Sequence, residues 1–146
     1  MRSEATGPTI SLERDLPATP SRVFELLCRP ESIPKWLGPS DEFRVTAHEW
    51  DCRPGGRYRV EFNAPDGETN VVVGEFREVV KDKHLAFTWT WEGKPVIDSL
   101  VTLQLKAAGE GTHLQLTHTG FPDVEMRDHH NFGWIGTLDR LGRACE

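Results

Sequence analysis

The chain has 146 residues, with 17 basic and 23 acidic side chains and a formal net charge of −6 at pH 7. That length fits one domain able to bury a real core, and an acidic balance without a clustered basic stretch argues against nucleic acid as a partner. No run of about 18 apolar residues occurs, so no segment reads as a membrane insertion, and the opening MRSEATGPT lacks the apolar centre of a signal peptide. Only 37% of residues are apolar, but five Trp and seven Phe carry large buried area each. Cys28, Cys52 and Cys145 are odd in number and widely spaced, which reads as reduced thiols in a cytoplasmic protein.

In chain order, residues 1–8 are expected to be a flexible leader and residues 9–146 a single domain. Thr9 to Leu16 alternates as a first strand until Pro17. Thr19 then Pro20 is a helix entry, cap followed by proline at the first helical position; Val23, Phe24 and Leu27 give that helix its buried side. Pro30 to Gly38 predicts a second short helix, with Ile33, Trp36 and Leu37 on one side and Gly38 ending it. The period then changes to two. Strands are predicted over Phe43–Cys52, Arg57–Asn63, Val71–Val80, His84–Trp91, around Val101–Lys106 and around Leu114–His118. Turns at Pro54-Gly55-Gly56, Pro65-Asp66-Gly67, Lys81–Lys83 and Gly109-Glu110-Gly111 separate them.

From Phe121 to Glu146 the spacing is helical again. Trp134, Leu138, Leu141 and Cys145 form a stripe that His130, Gly133 and Thr137 extend, with Asp123 as N-cap. Glycine inside a helix costs about 1 kcal/mol relative to alanine. Gly133 is expected where the helix closely approaches the sheet or Trp36; the pattern assigns no role to Gly136 or Gly142. The predicted class is therefore α+β: an antiparallel sheet of about seven strands packed on a long C-terminal helix, with two short helices after the first strand.

Six local words in this order resemble a known family. They are Pro30 with Trp36-Leu37-Gly38-Pro39, Arg53-Pro54-Gly55-Gly56-Arg57-Tyr58, Pro65-Asp66-Gly67, Leu85-Ala86-Phe87-Thr88-Trp89, Thr117-His118-Thr119-Gly120-Phe121, and His130 to Leu138 with Gly133-Trp134, continuing into Leu138-Asp139-Arg140-Leu141. Over residues 9–146 the chain resembles the START-like (SRPBCC) helix-grip domains, in particular the subfamily named for the activator of the heat-shock protein 90 ATPase. The resemblance implies a curved sheet gripping the last helix around a cavity for hydrophobic or amphipathic small molecules. It also implies, through the subfamily's name, a cochaperone-like, stress-response role with a chaperone partner. Fold alone does not choose between such activities.

The expected ligand-binding residues are Trp36, Tyr58, Phe62, Phe76, Phe87, Trp89, Trp91, His118, His130 and Trp134, holding a hydrophobic or aromatic molecule for sequestration or carriage. His118 and His130 are also the candidates for acid–base work in a cyclase-, dehydratase- or hydrolase-like alternative. No phosphate-binding loop, nucleophile motif or metal-ligand spacing is present, so no cofactor or metal is expected and the reading leans away from an enzyme. Glu49, Asp51 and Arg53 suggest a polar mouth, and Arg57, Arg59 and Glu61 against Glu75 and Arg77 suggest charge pairs on a solvated face. Homodimerisation stays open.

Overall fold

The computed structural model describes residues 7–146; most of the expected leader lies outside them. The elements are β1 (Ile10–Leu16), α1 (Pro20–Cys28), a 3-10 turn (Pro30–Ser32) running into the single turn α2 (Ile33–Trp36), β2 (Arg44–Trp50), β3 (Arg57–Asn63), β4 (Thr69–Val80), β5 (His84–Thr88), β6 (Thr90–Trp91), β7 (Leu100–Ala108), β8 (Gly111–Thr119) and α3 (Val124–Ala144). All strand pairs are antiparallel, in the order β1-β8-β7-β5-β4-β3-β2, with β6 on β4 off that path. This is the helix-grip arrangement: one sheet, one long helix, short helices after the first strand. Among the described residues no helix is long and apolar enough to cross a membrane.

Both longer helices start where the capping chemistry places them. The Thr19 hydroxyl accepts from the Arg22 amide at 3.2 Å, and Asp123 Oδ1 from the Met126 amide at 2.8 Å. The second short helix is a weaker element than its periodicity predicts. Pro30 and Pro34 each remove a backbone donor, so it closes only a 3-10 turn and one α turn before Gly38 leaves at φ 125°.

The strand predicted over His84–Trp91 breaks at Trp89. The Trp89 amide still donates to Ser99 O in the β5–β7 register, but the Ser99 hydroxyl replaces a backbone amide in donating back to Trp89 O, and on the β4 side the Glu75 amide donates to the Thr88 hydroxyl. Just before the break, Thr88 O is drawn over Gly74 to accept the Tyr58 hydroxyl. A Cβ on Gly74 would sit 2.1 Å from that oxygen, so only glycine permits the approach. The long β4 therefore pairs with β5 through one half and with β6 through the other.

α3 is held to the chain around α2 by polar contacts as well as by its apolar stripe of Trp134, Leu138 and Leu141. Arg140 is buried and donates to Leu37 O, Pro34 O and the Asp41 carboxylate; Thr137 exchanges hydrogen bonds with both Gly38 N and Gly38 O. Arg140 also holds the Asp41 carboxyl below its usual range. The close approach of the helix lies at Gly136, where a Cβ would come within 1.9 Å of Pro39 O. Gly133, one turn earlier, meets nothing within 4 Å, which corrects the role expected for it.

Cys28 and Cys52 pair, with Cα atoms 5.4 Å apart, and tie the end of α1 to the chain just past β2; Cys145 is free and buried. The reading of all three as reduced thiols is thus corrected for two of them. Spacing gave no signal because the bond joins two elements that only tertiary packing brings together. The cysteine count accordingly carries no argument for a reducing compartment.

Candidate functional site

The buried aromatic residues divide into two groups along the sheet. In the first, Trp50, Tyr58, Phe76 and Phe87 lie with ring centroids 5.1–6.3 Å apart in tilted or edge-to-face contact. In the second, Trp89 touches Trp91, His118, His130 and Trp134 at 5.1–6.4 Å, and Phe121 stacks near both histidines. The second group borders an open cavity of about 720 Å³ between α3, the chain after α2, β3, β4, β6 and residues 94–97.

Of the ten residues expected to bind ligand, the structure places Phe62, Trp89, Trp91, His130 and Trp134 on the cavity wall. Trp36, Tyr58, Phe76, Phe87 and His118 lie in the packed interior. His118 stands directly behind the wall, as the partner of Trp134. Wall residues that the periodic pattern did not single out include Phe43, Asn70, Lys94, Val96, Ile97, Met126 and His129. Most sit in irregular segments or on the polar margin of α3, where no alternation marks them; loops carrying function on a rigid scaffold are nonetheless common. Gly133 also lines the cavity, and its missing side chain leaves room there.

Glu49, Asp51 and Arg53 do not form a mouth. None lines the cavity, and Asp51 and Arg53 pair with each other in the β2–β3 turn. The expected charge pairs on the outer face are rearranged: Arg59 bonds Glu92 through two nitrogens, Glu61 bonds His48, and Arg77 stands 3.8 Å from Glu75. All are solvent-exposed to a degree that makes them worth little.

The two histidines are close, with ring centroids 5.6 Å apart, yet every ring nitrogen is already engaged. Trp134 Nε1–H donates to His118 Nδ1 at 3.0 Å, which leaves His118 Nε2–H to donate to Ser99 Oγ at 3.1 Å. Trp91 Nε1–H donates to His130 Nε2 at 2.9 Å, which leaves His130 Nδ1–H to donate to Met126 O at 2.9 Å. Since an indole can only donate, each tautomer is fixed by its tryptophan. Burial pushes His118 down to about 3, with a further contribution from His130; His130 is lowered chiefly by burial, against the raising effect of the Met126 carbonyl. Both rings are neutral at pH 7 and have no free nitrogen with which to take a proton from a substrate. What this pair does physically is brace two indoles of the wall.

Among the described residues, no cluster of three or more His, Cys, Asp or Glu has the geometry to hold a metal ion. The arrangement can hold an apolar body against three indoles, two phenyl rings and a thioether. Such a lining with few polar groups is how small-molecule sites are generally built.

A sheet gripping one long helix around such a cavity defines a helix-grip protein of the START-like class. The description "Activator of Hsp90 ATPase homolog 1-like protein" matches residues 17–146, and the chain belongs to that family. Its fold typically serves ligand-binding or cochaperone-like roles. A Chromobacterium violaceum protein of known structure is 29% identical, with a TM-score of 0.86 over 95% of this chain and 97% of that one. The AHSA1 protein of Silicibacter pomeroyi is 24% identical, with a TM-score of 0.84 over 93% and 96% of the two chains. A Nitrosomonas europaea protein at 22% identity and a TM-score of 0.77, over 93% and 92%, shares the fold. No curated protein matches the chain.

Proposed function

We propose that this protein binds a hydrophobic, ring-containing small molecule in the cavity between its sheet and α3, for sequestration or carriage. The observation that carries the reading is the about 720 Å³ cavity walled by Phe62, Trp89, Trp91 and Trp134. That volume falls in the range of sites for drug-sized ligands, roughly 300–1,000 Å³. Affinity would come from removing apolar surface from water, at about 25 cal/mol per Å². The fixed tautomers of His118 and His130 support holding over acid–base chemistry, because no ring nitrogen is left to act.

Intrinsic tryptophan emission and thermal unfolding test this together. Three of the five tryptophans border the cavity, so a bound aromatic molecule should quench or shift the emission and raise the melting temperature by mass action. The probes are a panel of two- and three-ring aromatic compounds, neutral, acidic and basic. A panel that changes neither signal contradicts the proposal.

A further inference from the structure

The polar groups around the cavity are unbalanced between donors and acceptors. Trp91 and Trp134 have their N–H groups engaged by histidines, both nitrogens of His130 are engaged, and the Thr137 hydroxyl is engaged by both backbone groups of Gly38. Trp89 Nε1 also lacks a hydrogen-bond partner, but it is closed to water and so does not open on the cavity. The group that can only donate and does reach the cavity is Lys94, on the exposed loop that borders it, which is paired with no carboxylate among the described residues. Asn70 and His129, which also line the cavity, can each donate or accept. No Asp or Glu lines it, although the chain carries 23 of them.

The Lys94 ammonium is the one formally charged group on an otherwise apolar wall, and it has no counter-charge there to meet. From this imbalance we infer that the cavity selects apolar acids: an aromatic body seated against the indoles and carrying a carboxylate or an equivalent oxyanion whose negative charge meets Lys94. The inference rests on the binding role proposed above and names its ligand class. Selection of an anion would also run against the protein's own net charge of −6, so it would have to come from the cavity and not from long-range attraction.

The test compares three probes with the same ring system: 2-naphthoic acid, 2-naphthalenemethanol and 2-naphthylmethylamine. Their dissociation constants at pH 7 are measured by calorimetry on the native chain and on K94M. The acid should bind at least ten-fold more tightly than the amine. That ratio should fall toward unity in K94M, while the alcohol's affinity in K94M stays within about two-fold of native. Lys94 is exposed, so K94M removes the charge without touching the core. A native acid-to-amine ratio near unity, or a ratio unchanged in K94M, overturns the inference while leaving the binding role standing. If none of the three binds and no larger aromatic does, the binding role itself fails.

Discussion

Two aromatic groups of similar make-up sit on one sheet, and they dispose of their polar handles differently. In the packed group and beside it, the Trp50 and Trp36 indoles donate to Leu27 O and Leu26 O of α1, and the Tyr58 hydroxyl donates to Thr88 O. Each handle ends on backbone, whose position the fold already sets. In the cavity group, the Trp91 and Trp134 indoles end on imidazoles, and the Trp89 indole ends on nothing. Backbone anchoring suits a region whose task is to stay closed. Side-chain anchoring on imidazoles suits a wall that must be held in place beside an open space. The contrast teaches that aromatic content alone does not mark a site; the destination of each N–H and O–H does.

The largest effect that separates the groups should come from F87A. Phe87 is fully buried among Trp50, Tyr58 and Phe76, so its removal leaves a cavity in packed interior and should cost about 3–5 kcal/mol in denaturant unfolding. Molecules that remain folded should bind an aromatic probe with native affinity. A loss of affinity as large as the loss of stability would show that the two groups are not separate.

A comparable effect should appear with acid. Burial holds His118 at about 3 in the fold, whereas the unfolded chain takes up that proton near pH 6.5. The neutral ring's contribution is therefore complete above about pH 6.5 and is lost as pH falls toward 3, on the order of 4 kcal/mol over the whole interval. H118Q can accept from Trp134 and donate to Ser99 without titrating, so its stability should depend less steeply on pH across that window. An unchanged slope would place the titration elsewhere.

The smallest effects should come from two glycines one turn apart. G133A adds a methyl where nothing lies within 4 Å; it should stabilise α3 by up to about 1 kcal/mol and weaken probe binding by narrowing the cavity. G136A drives a methyl into Pro39 O and should destabilise by about 1–3 kcal/mol. Melting temperatures moving in the same direction would contradict this placement of the cavity.

Much of the architecture was legible because periodicity reports faces. The stripe from Trp134 to Cys145 and the cap at Asp123 define α3, and alternation from Arg57 to His118 defines the strands. Periodicity does not report position along a strand. Tyr58 and Phe62 lie on the same face of β3, yet Tyr58 packs in the interior and Phe62 lines the cavity, so alternation assigned both to the ligand. The break at Trp89 was hidden because the alternation continues through it; what interrupts the ladder is side chains taking backbone partners, the Thr88 hydroxyl from Glu75 N–H, and the Tyr58 and Ser99 hydroxyls on Thr88 O and Trp89 O. Lys94, Val96 and Ile97 escaped notice because an irregular loop has no period to violate. Cys28 and Cys52 meet only through the packing of α1 beside β2. Arg140 reads as one more charge in the sequence, and its burial depends on carbonyls that the turns at Pro34 and Leu37 present.

The most direct measurement follows the five indole N–H resonances in a ¹H–¹⁵N correlation spectrum as 2-naphthoic acid is added to saturation. Trp89, Trp91 and Trp134, which border the cavity, should shift. Trp36 and Trp50, bonded to α1 carbonyls, should stay in place. Shifts confined to Trp36 and Trp50, or no shift at any of the five, would contradict the account of the cavity as the binding site.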